Sequence, residues 1–261
     1  MRYLQNGQTL ANNNRRYYAD GVIVSDNLYH QTVFEGWHAH ENAHLTFLVN
    51  GGTVEDRGNT QVVNEPGNIV TYQAGERHRN RHTVHPSRNI NIELEQSFFD
   101  TYDIDATLLE KLKDSHPSAA LTVTSVLHEV MFAGDADRIH SAMLELLTAT
   151  SKPTTCNTPL WVSKVKQQLH DCWNENVSLK HLAKNCDVHP VTISKYFSAY
   201  FGCTMLEYVR KLRVQKSLLM ITDKRSLTDV AYECGFFDQS HFIHAFKAET
   251  GFLPREWKQM R

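Results

Sequence analysis

Two stretches in the C-terminal part of the chain repeat one another at a nearly constant offset. In the first part of the repeat the offset is 48 residues, and the matched pairs are Leu179 with Leu227, Leu182 with Val230, Ala183 with Ala231, Cys186 with Cys234 and Val188 with Phe236. In the second part the offset is 49 residues, and the pairs are Ile193 with Phe242, Phe197 with Phe246, Gly202 with Gly251 and Tyr208 with Trp257. A repeat of this length indicates one supersecondary unit used twice. The spacing of its apolar and small residues is that of a helix, a turn and a second helix.

Charge is distributed unevenly along the chain. Residues 160–261 contain 15 Lys and Arg against 10 Asp and Glu, whereas residues 1–159 contain 12 against 19. A basic segment can approach phosphate, and an acidic segment is repelled by it. The asymmetry therefore favours a nucleic-acid partner for the C-terminal part.

Composition and cysteine usage argue against several classes of protein. A content of 41% hydrophobic and 21% charged residues is that of an ordinary globular chain. The sequence has no apolar run of about 18 residues and its first ten residues are polar, so we expect a cytoplasmic protein without a membrane span. Five cysteines without a Cys-x-x-Cys pair argue against a disulfide framework or a thiolate metal site. We expect Cys186 and Cys234 to be small buried side chains.

The length of 261 residues makes two domains the default expectation. Residues 151–159, with two prolines and four Ser or Thr residues, indicate a linker between an N-terminal domain of residues 1–150 and a C-terminal domain of residues 160–261. Residues 102–150 show three apolar stripes at helical spacing. Our candidate for a dimer interface is the third stripe, which comprises Ile139, Met143, Leu146 and Leu147.

Residues 17–95 have the features of a β-rich domain. Short runs rich in β-branched and aromatic residues are separated by Gly, Asn and Pro. The clearest predicted strands are residues 22–24, 45–49, 69–72 and 89–95, with hairpin turns at residues 57–59 and 65–67. In the last of these strands, three apolar residues alternate with three polar ones, which is the pattern of a half-buried strand. Many short strands of this kind predict a barrel or a sandwich.

The first copy of the repeat is predicted to fold as two helices joined by a turn at residues 186–188. Ser178 can cap the first helix. Asp187 stands where glycine is usual, because the backbone there is left-handed, and Asp is among the residues that tolerate this conformation. His189-Pro190 opens the second helix. We expect that helix to bury Ile193, Tyr196 and Phe197.

The second copy has Gly235 in its turn and Asp238 as the predicted cap of its second helix. This copy is one residue longer through the turn, which accounts for the change of offset from 48 to 49. Between the copies, residues 205–221 lack Gly and Pro and predict a connecting helix about 25 Å long. With the width of the two units added, such a helix can place both second helices in successive major grooves, about 34 Å apart. The cations of the connecting helix are Arg210, Lys211, Arg213 and Lys216.

Residues 160–261 resemble the DNA-binding domain of the AraC/XylS family of bacterial transcription regulators. Residues 227–257, LTDVAYECGFFDQSHFIHAFKAETGFLPREW, match the family signature of Ala, then Gly-Phe, Ser-x-Phe, Phe-Lys, and finally Gly, Pro and an aromatic residue. Two positions depart from the pattern: His244 stands where the family commonly carries Arg or another donor, and Asp187 stands in the first turn. The resemblance implies an activator that binds double-stranded promoter DNA, with RNA polymerase as a partner.

The resemblance also implies that outward-facing residues on both second helices reach the base edges. By position these are Val191, Thr192, Ser194 and Lys195 in the first unit, and Gln239, Ser240, His241 and His244 in the second. Their chemistry suits this role, because Lys can donate to guanine O6 or N7 and Gln can bridge adenine N6 and N7. Val can contact a thymine methyl group.

A set of histidines stands out in the N-terminal domain. His38, His40 and His44 have the same parity, so on an extended strand their side chains share a face. His78 follows a second strand and turn. The pattern resembles a cupin barrel, in which His-x-His, a third ligand and a distant His hold a metal, and here His44 replaces the usual Glu. Four imidazoles could bind Zn, Fe, Ni or Cu, so these four residues are candidate ligands of a transition metal, although no cofactor is required.

Three alternatives to a metal sensor stay open for this barrel. AraC-type regulators resemble cupins in this domain but use it to bind small organic effectors, usually without metal. The effector site would then be formed by Trp37, His38, His40, Phe47, Tyr72 and His78, whose aromatic members supply apolar walls. The second alternative is a purely structural role. The third is a cupin metalloenzyme, which needs a metal with open positions, and no nucleophile or acid–base signature supports it, so we expect no enzyme.

The sequence therefore predicts an α+β protein of two domains. The N-terminal domain is expected to be a cupin-like β-barrel with helices, used for sensing and dimerisation. The C-terminal domain is expected to be all-α with two helix-turn-helix units. We expect a homodimer in which a small effector repositions these units on DNA.

Overall fold

The computed structural model describes residues 1–31, 34–114, 118–151 and 158–261. The chain divides into two compact units, Met1–Ser151 and Lys152–Met260. Most of the predicted linker, including Cys156, lies outside the described residues. In the part that is described, no helix combines the length and the hydropathy needed to cross a membrane.

The strands of the first unit form a single β-sheet that curves into a half-barrel. Its strands among the described residues are β1 (Arg2–Leu4), β2 (Asn12–Ala19), β3 (Val22–Tyr29), β4 (His38–His40), β5 (Ala43–Arg57), β6 (Thr60–Asn64), β7 (Ile69–Tyr72) and β8 (His78–Leu94). One path through the sheet is β1-β4-β8-β3-β2, and β5 pairs with β6, β7 and β8. The turn at residues 57–59 is a hairpin turn between β5 and β6, as predicted. The turn at residues 65–67 connects β6 to β7, and the prediction of a hairpin there was wrong, because both of these strands pair with β5. The predicted barrel-type architecture is confirmed.

β8 is the central strand of this sheet, because it pairs with β3 on one side and β5 on the other. Ile90, Ile92 and Leu94 are at most 1% exposed. Asn91 and Glu93, on the opposite face, are also buried. The prediction of a half-buried strand was therefore wrong. Its polar face turns toward the interior of the half-barrel and not toward solvent.

In the described part of the first unit, four helices follow the strands. Its helices are α1 (Gln96–Tyr102), a 3₁₀ helix (Ala106–Asp114), α2 (Ser118–Phe132) and α3 (Ala136–Ser151). The predicted apolar stripe of α3 packs toward α2 and the 3₁₀ helix, and its residues Ile139, Met143, Leu146 and Leu147 are 0–4% exposed. The predicted dimer interface was therefore wrong, because side chains buried within their own unit have no surface left to offer a partner.

The second unit is all-helical in its described residues. Its helices are α4 (Leu160–Asp171), α5 (Leu179–Asn185), α6 (Pro190–Phe201), α7 (Met205–Met220), α8 (Leu227–Glu233), α9 (Gln239–Thr250) and α10 (Pro254–Met260). The pairs α5–α6 and α8–α9 are the two predicted helix-turn-helix units. The connecting helix α7 has 16 residues and is about 24 Å long. Cys186 and Cys234 are buried as predicted, at 3% and 0% exposed.

The turns of the two units share one backbone hydrogen-bond pattern. In the first turn, Val188 N donates to Ala183 O and Asp187 N donates to Lys184 O. This pair of bonds is a Schellman motif, which requires a left-handed residue after the helix. Asp187 supplies it with φ of 54°, and Gly235 does so in the second turn with φ of 76°. The equivalent bonds of the second turn run from Phe236 N to Ala231 O and from Gly235 N to Tyr232 O.

The predicted helix caps are confirmed. The Ser178 hydroxyl accepts from His181 N at 3.2 Å, and the Asp238 carboxylate accepts from His241 N at 2.7 Å. Tyr196, which was predicted to be buried, is 44% exposed. The inner face of α6 follows a spacing of four residues, and Tyr196 lies beside that stripe. The buried residues of α6 are Ile193, Phe197 and Phe201.

A matched pair of glycine substitutions tests the second turn. A Cβ at Gly235 would lie 2.2 Å from Asn174 O, whereas a Cβ at Gly202, with φ of 73°, meets nothing within 4 Å. We expect Gly202→Ala to lower the free energy of unfolding by about 1–2 kcal/mol, the cost of a left-handed Ala. Gly235→Ala should cost more, because the backbone must also move. Urea unfolding followed by tryptophan fluorescence measures both, and equal losses would contradict the close approach.

Candidate functional site

The four predicted histidines converge inside the half-barrel. Strand pairing sets His38 opposite His78, with ring centroids 4.2 Å apart. His40 lies 4.2 Å from His44, measured between ring centroids. The candidate ligand nitrogens of His38, His40 and His78 all lie within 4.8 Å of one another, and all three residues are buried. His44 lies beside this three-histidine cluster without belonging to it.

Backbone carbonyls orient three of the four rings. In each case Nδ1 faces the carbonyl of the residue two positions earlier, so a protonated Nδ1 donates and Nε2 keeps a free lone pair. This tautomer and this carbonyl contact are typical of histidines that bind metal. The contacts are 3.2 Å from His38 to Gly36 O, 3.3 Å from His44 to Asn42 O and 3.1 Å from His78 to Glu76 O. Nδ1 of His40 is buried and has no partner among the described residues.

Burial keeps these imidazoles neutral. Desolvation lowers the pKa of His38 and of His78 from 6.5 to about 4, and the pKa of His44 to about 3. The pKa of His40 is also lowered, first by desolvation and then by the neighbouring histidines. Neutral imidazole is the form that binds a metal ion, so the cluster is ready to act as a ligand set near neutral pH.

A buried charge network lies behind the cluster. The Tyr72 ring stacks on the His44 ring, with ring centroids 4.4 Å apart. The Tyr72 hydroxyl donates its hydrogen to the Glu55 carboxylate at 2.7 Å. Arg57 Nε donates to the same carboxylate at 2.7 Å, and its guanidinium lies 4.2 Å from the centre of the Tyr72 ring. The Glu55 carboxylate is thus both paired and hydrogen-bonded, as a buried charge must be. From the sequence, Arg57 was predicted only as part of a turn, and Glu55 was not predicted to have a role in the site.

The histidines line a cavity of about 60 Å³. Small-molecule sites usually have volumes of about 300–1,000 Å³, whereas a single water needs about 10–15 Å³ of accessible space. The cavity therefore has room for an ion with a few waters, or for a ligand of a few atoms. Its lining is mostly polar and includes Asn64, Asn80, Asn89 and Asn91.

Of the three residues predicted as apolar walls, Tyr72 lines this cavity, and Trp37 and Phe47 do not. Phe47 is 1% exposed and lies on the face of β5 opposite to the cavity-lining Thr46 and Leu48, because side chains alternate along a strand. The Trp37 ring lies 5.0 Å from the guanidinium of Arg79. Parity with His44 was the sequence signal that would have excluded Phe47.

The outward surfaces of α6 and α9 form a second candidate site. Each of the eight residues predicted to contact DNA is at least partly accessible. The exposed residues are Val191, Ser194, Lys195, Ser240, His241 and His244, and the half-buried ones are Thr192 and Gln239.

The cations of α7 divide into two groups. Arg210 pairs with Glu249 at 3.1 Å. Arg213 donates to backbone carbonyls, from Nε to Trp173 O at 3.1 Å and from a terminal nitrogen to Glu175 O at 2.9 Å. The side chains of Arg210 and Arg213 are therefore engaged in contacts within the second unit. The other two cations of this helix are Lys211, which is half-buried, and Lys216, which is exposed.

Comparison with known proteins agrees with this geometry. Residues 182–260 match a protein family described as a helix-turn-helix domain. The match begins within α5 and covers the rest of the first helix-turn-helix unit, the connecting helix and the second unit. The second unit is therefore a helix-turn-helix domain, a class of fold that binds DNA through its second helix.

Several curated bacterial proteins are similar to this chain in sequence. The chain is 34% identical over 107 residues to the HTH-type transcriptional activator RhaS of Enterobacter sp. (strain 638), covering 40% of this chain and 38% of that protein. It is 31% identical to the bifunctional transcriptional activator/DNA repair enzyme AdaA of Bacillus subtilis (strain 168), covering 42% and 53%. The RhaS of Shigella sonnei (strain Ss046) is 24% identical over 242 residues, covering 85% and 87%. The second unit is therefore similar to the helix-turn-helix parts of bacterial proteins named as transcriptional activators.

The chain spans about half or less of the length of the first two of these relatives. Among solved structures, ToxT of Vibrio cholerae aligns with 91% of this chain and 98% of its own at 14% identity, with a TM-score of 0.38. An AraC-type regulator of Chromobacterium violaceum covers 38% of this chain at 20% identity, with a TM-score of 0.36.

The histidine cluster makes the stability of the metal-free protein depend on pH. The unfolded chain titrates its histidines near 6.5, whereas burial lowers the folded pKa of His38 and His78 to about 4. Between these values the unfolded state binds more protons, so stability falls as pH decreases. We expect a lower urea midpoint at about pH 5 than at about pH 7.5. The double variant His38→Gln/His78→Gln should show a shallower dependence, and an unchanged slope would contradict this origin.

Proposed function

We propose that this protein is a sequence-specific transcription regulator, an activator that responds to a small ligand held in its half-barrel. The observation that carries the proposal is the presence of two capped helix-turn-helix units in one all-helical unit, each with an accessible second helix. Relatives with the same domain are named transcriptional activators, which supports the sign of regulation.

The proposed contacts with DNA divide into base readers and phosphate binders. Lys195 on α6 suits a guanine, and Gln239 on α9 suits an adenine. Val191, 61% exposed, suits a thymine methyl group. Lys211 and Lys216 on α7 suit the phosphate backbone, because Arg210 and Arg213 are already engaged within the unit.

A transition metal is the second candidate ligand for the half-barrel, and one observation favours it over an organic effector. Three buried imidazoles present nitrogens within 4.8 Å in a cavity of about 60 Å³. The buried Nδ1 of His40 has no hydrogen-bond partner among the described residues, which is unfavourable, and a bound cation would relieve this. His38, His40 and His78 would hold the metal, which supplies a positive charge that could complete the sensor. Imidazole ligands suit Zn, Cu, Fe and Ni.

We also propose the partners of the regulator and its cellular location. The partners are double-stranded promoter DNA and RNA polymerase, and we propose that the regulator acts as a homodimer through a surface other than the buried stripe of α3. A promoter-binding protein acts where the chromosome is, which in bacteria is the cytoplasm. We propose regulation without catalysis, as the names of the RhaS relatives suggest, although one relative is named as both an activator and a repair enzyme.

Substitution of the base readers tests DNA recognition. We expect Lys195→Ala and Gln239→Ala each to weaken binding to a selected site by about 1–3 kcal/mol and to relax preference at one base position. Lys216→Ala should weaken binding to all sequences equally, because a phosphate contact has no base preference. Fluorescence anisotropy with selected and scrambled duplexes at one salt concentration measures both effects. Wild-type behaviour of both reader variants would contradict the assignment.

Metal analysis tests the second candidate. After incubation with zinc and desalting, protein purified without an affinity tag should retain about one equivalent of metal. His38→Ala and His78→Ala should lose it, whereas His181→Ala, an exposed histidine of α5, should retain it. Retention of less than about a tenth of an equivalent by the wild type would exclude a metal at this cluster.

A further inference from the structure

Phe237 is the residue by which the second helix-turn-helix unit is longer than the first. In both units the Schellman turn ends at an apolar residue, Val188 or Phe236. In the first unit the N-cap, His189, follows at once. In the second unit Phe237 stands between Phe236 and the N-cap, Asp238. The offset of the repeat changes from 48 to 49 at this residue.

The Phe237 side chain is not used for packing in its own unit. A residue just before the N-cap often packs on the fourth helical residue as a hydrophobic staple, and here that residue is Phe242. Phe236 fills this place instead, since it is 4% exposed and its ring centroid lies 5.2 Å from that of Phe242. Phe237 is 85% exposed, the largest value for any large apolar side chain in the described part of the chain.

Phe237 lies beside the end of α9 that carries the proposed base readers. Gln239 and Ser240 are the first two residues of α9, and recognition helices contact bases mainly through their N-terminal residues. The carboxylate of Asp238 is engaged as the cap, accepting from His241 N at 2.7 Å. A DNA groove that receives the first turn of α9 therefore meets an aromatic ring next to an amide.

The amide of Gln239 is already oriented in the free protein. Thr228 of α8 donates its hydroxyl hydrogen to Gln239 Oε1 at 2.8 Å. Oε1 has a second lone pair, and Nε2 keeps its two donors, so the amide can still bridge an adenine. Thr228 is therefore a positioning residue for Gln239, since it fixes the side chain before DNA arrives.

We propose that Phe237 and Gln239 together read a step that contains adenine and thymine. Gln239 hydrogen-bonds to the adenine, and the Phe237 ring covers the 5-methyl group of a neighbouring thymine, which is the apolar feature of the major groove. The inference rests on the proposed DNA-binding function and adds the base class that this end of α9 selects. The first unit has no residue at this place, and its proposed thymine contact comes from Val191 at a different position of the site.

Replacement of thymine by deoxyuridine tests the methyl contact. Deoxyuridine pairs as thymine does and lacks only the 5-methyl group. Sites are first selected from a random duplex library with the full chain, and each thymine is then replaced in turn. At the position that Phe237 covers, we expect wild-type binding to weaken about fourfold, the value of one buried methyl group. Phe237→Ser should bind the thymine duplex about as weakly and should not distinguish the two bases.

Two further variants serve as controls. Leu206, at the start of α7, is 78% exposed but lies off the recognition helices, so Leu206→Ser should keep the methyl preference. Thr228→Val should reduce discrimination at the adenine and leave the response to deoxyuridine unchanged. Circular dichroism should show that Phe237→Ser is folded, because the side chain it removes is exposed.

The outcomes separate this inference from the function on which it rests. If no position is sensitive to deoxyuridine, or if Phe237→Ser still distinguishes thymine from deoxyuridine as the wild type does, the role of Phe237 is overturned while DNA binding stands. If the full chain selects no sequence from the library, the proposed function and the role of Phe237 fall together.

Discussion

The fold of the second unit depends on a left-handed residue at the end of α5 and of α8. Because Asp187 and Gly235 have positive φ, the chain reverses within a few residues and returns a second helix across the first. The carbonyls that accept the closing hydrogen bonds belong to Ala183 and Ala231, both at most 1% exposed, and small side chains allow the close crossing. The first turn tolerates a Cβ, whereas the second does not, because Asn174 O occupies that space. The orientation of both recognition helices therefore follows from the backbone at two positions.

In the first unit the equivalent constraint is the alternation of side chains along the strands. It sends His38, His40, His44 and His78 to one interior face, and three asparagines of β8 to the same cavity. A cavity lined by imidazole and amide groups cannot act as apolar core. It suits an ion or a small polar ligand, whose binding could alter the packing of the half-barrel. The folds of the two units thus depend on different elementary rules of the backbone.

Features that follow local rules could be predicted from the sequence. The repeat and the caps Ser178 and Asp238 depend on spacing over a few residues, and all are present in the structure. The convergence of His78 with His38 and His40 depends on strand pairing and could not be read from spacing. Features that depend on which neighbour covers a face could not. Met143 is buried because α2 and the 3₁₀ helix cover α3, and Asn91 is buried because the sheet curves around it. The change of offset in the repeat identifies Phe237 from the sequence alone. The exposure of its side chain could be seen only in the fold.

We propose that one chain binds two successive major grooves through α6 and α9, which α7 connects. Methylation interference on a selected duplex measures this directly, because it marks each guanine whose major-groove face is contacted. We expect two clusters of interference on the same side of the helix, about 10 base pairs apart from centre to centre. A single cluster, or two clusters on opposite sides of the duplex, would contradict the account.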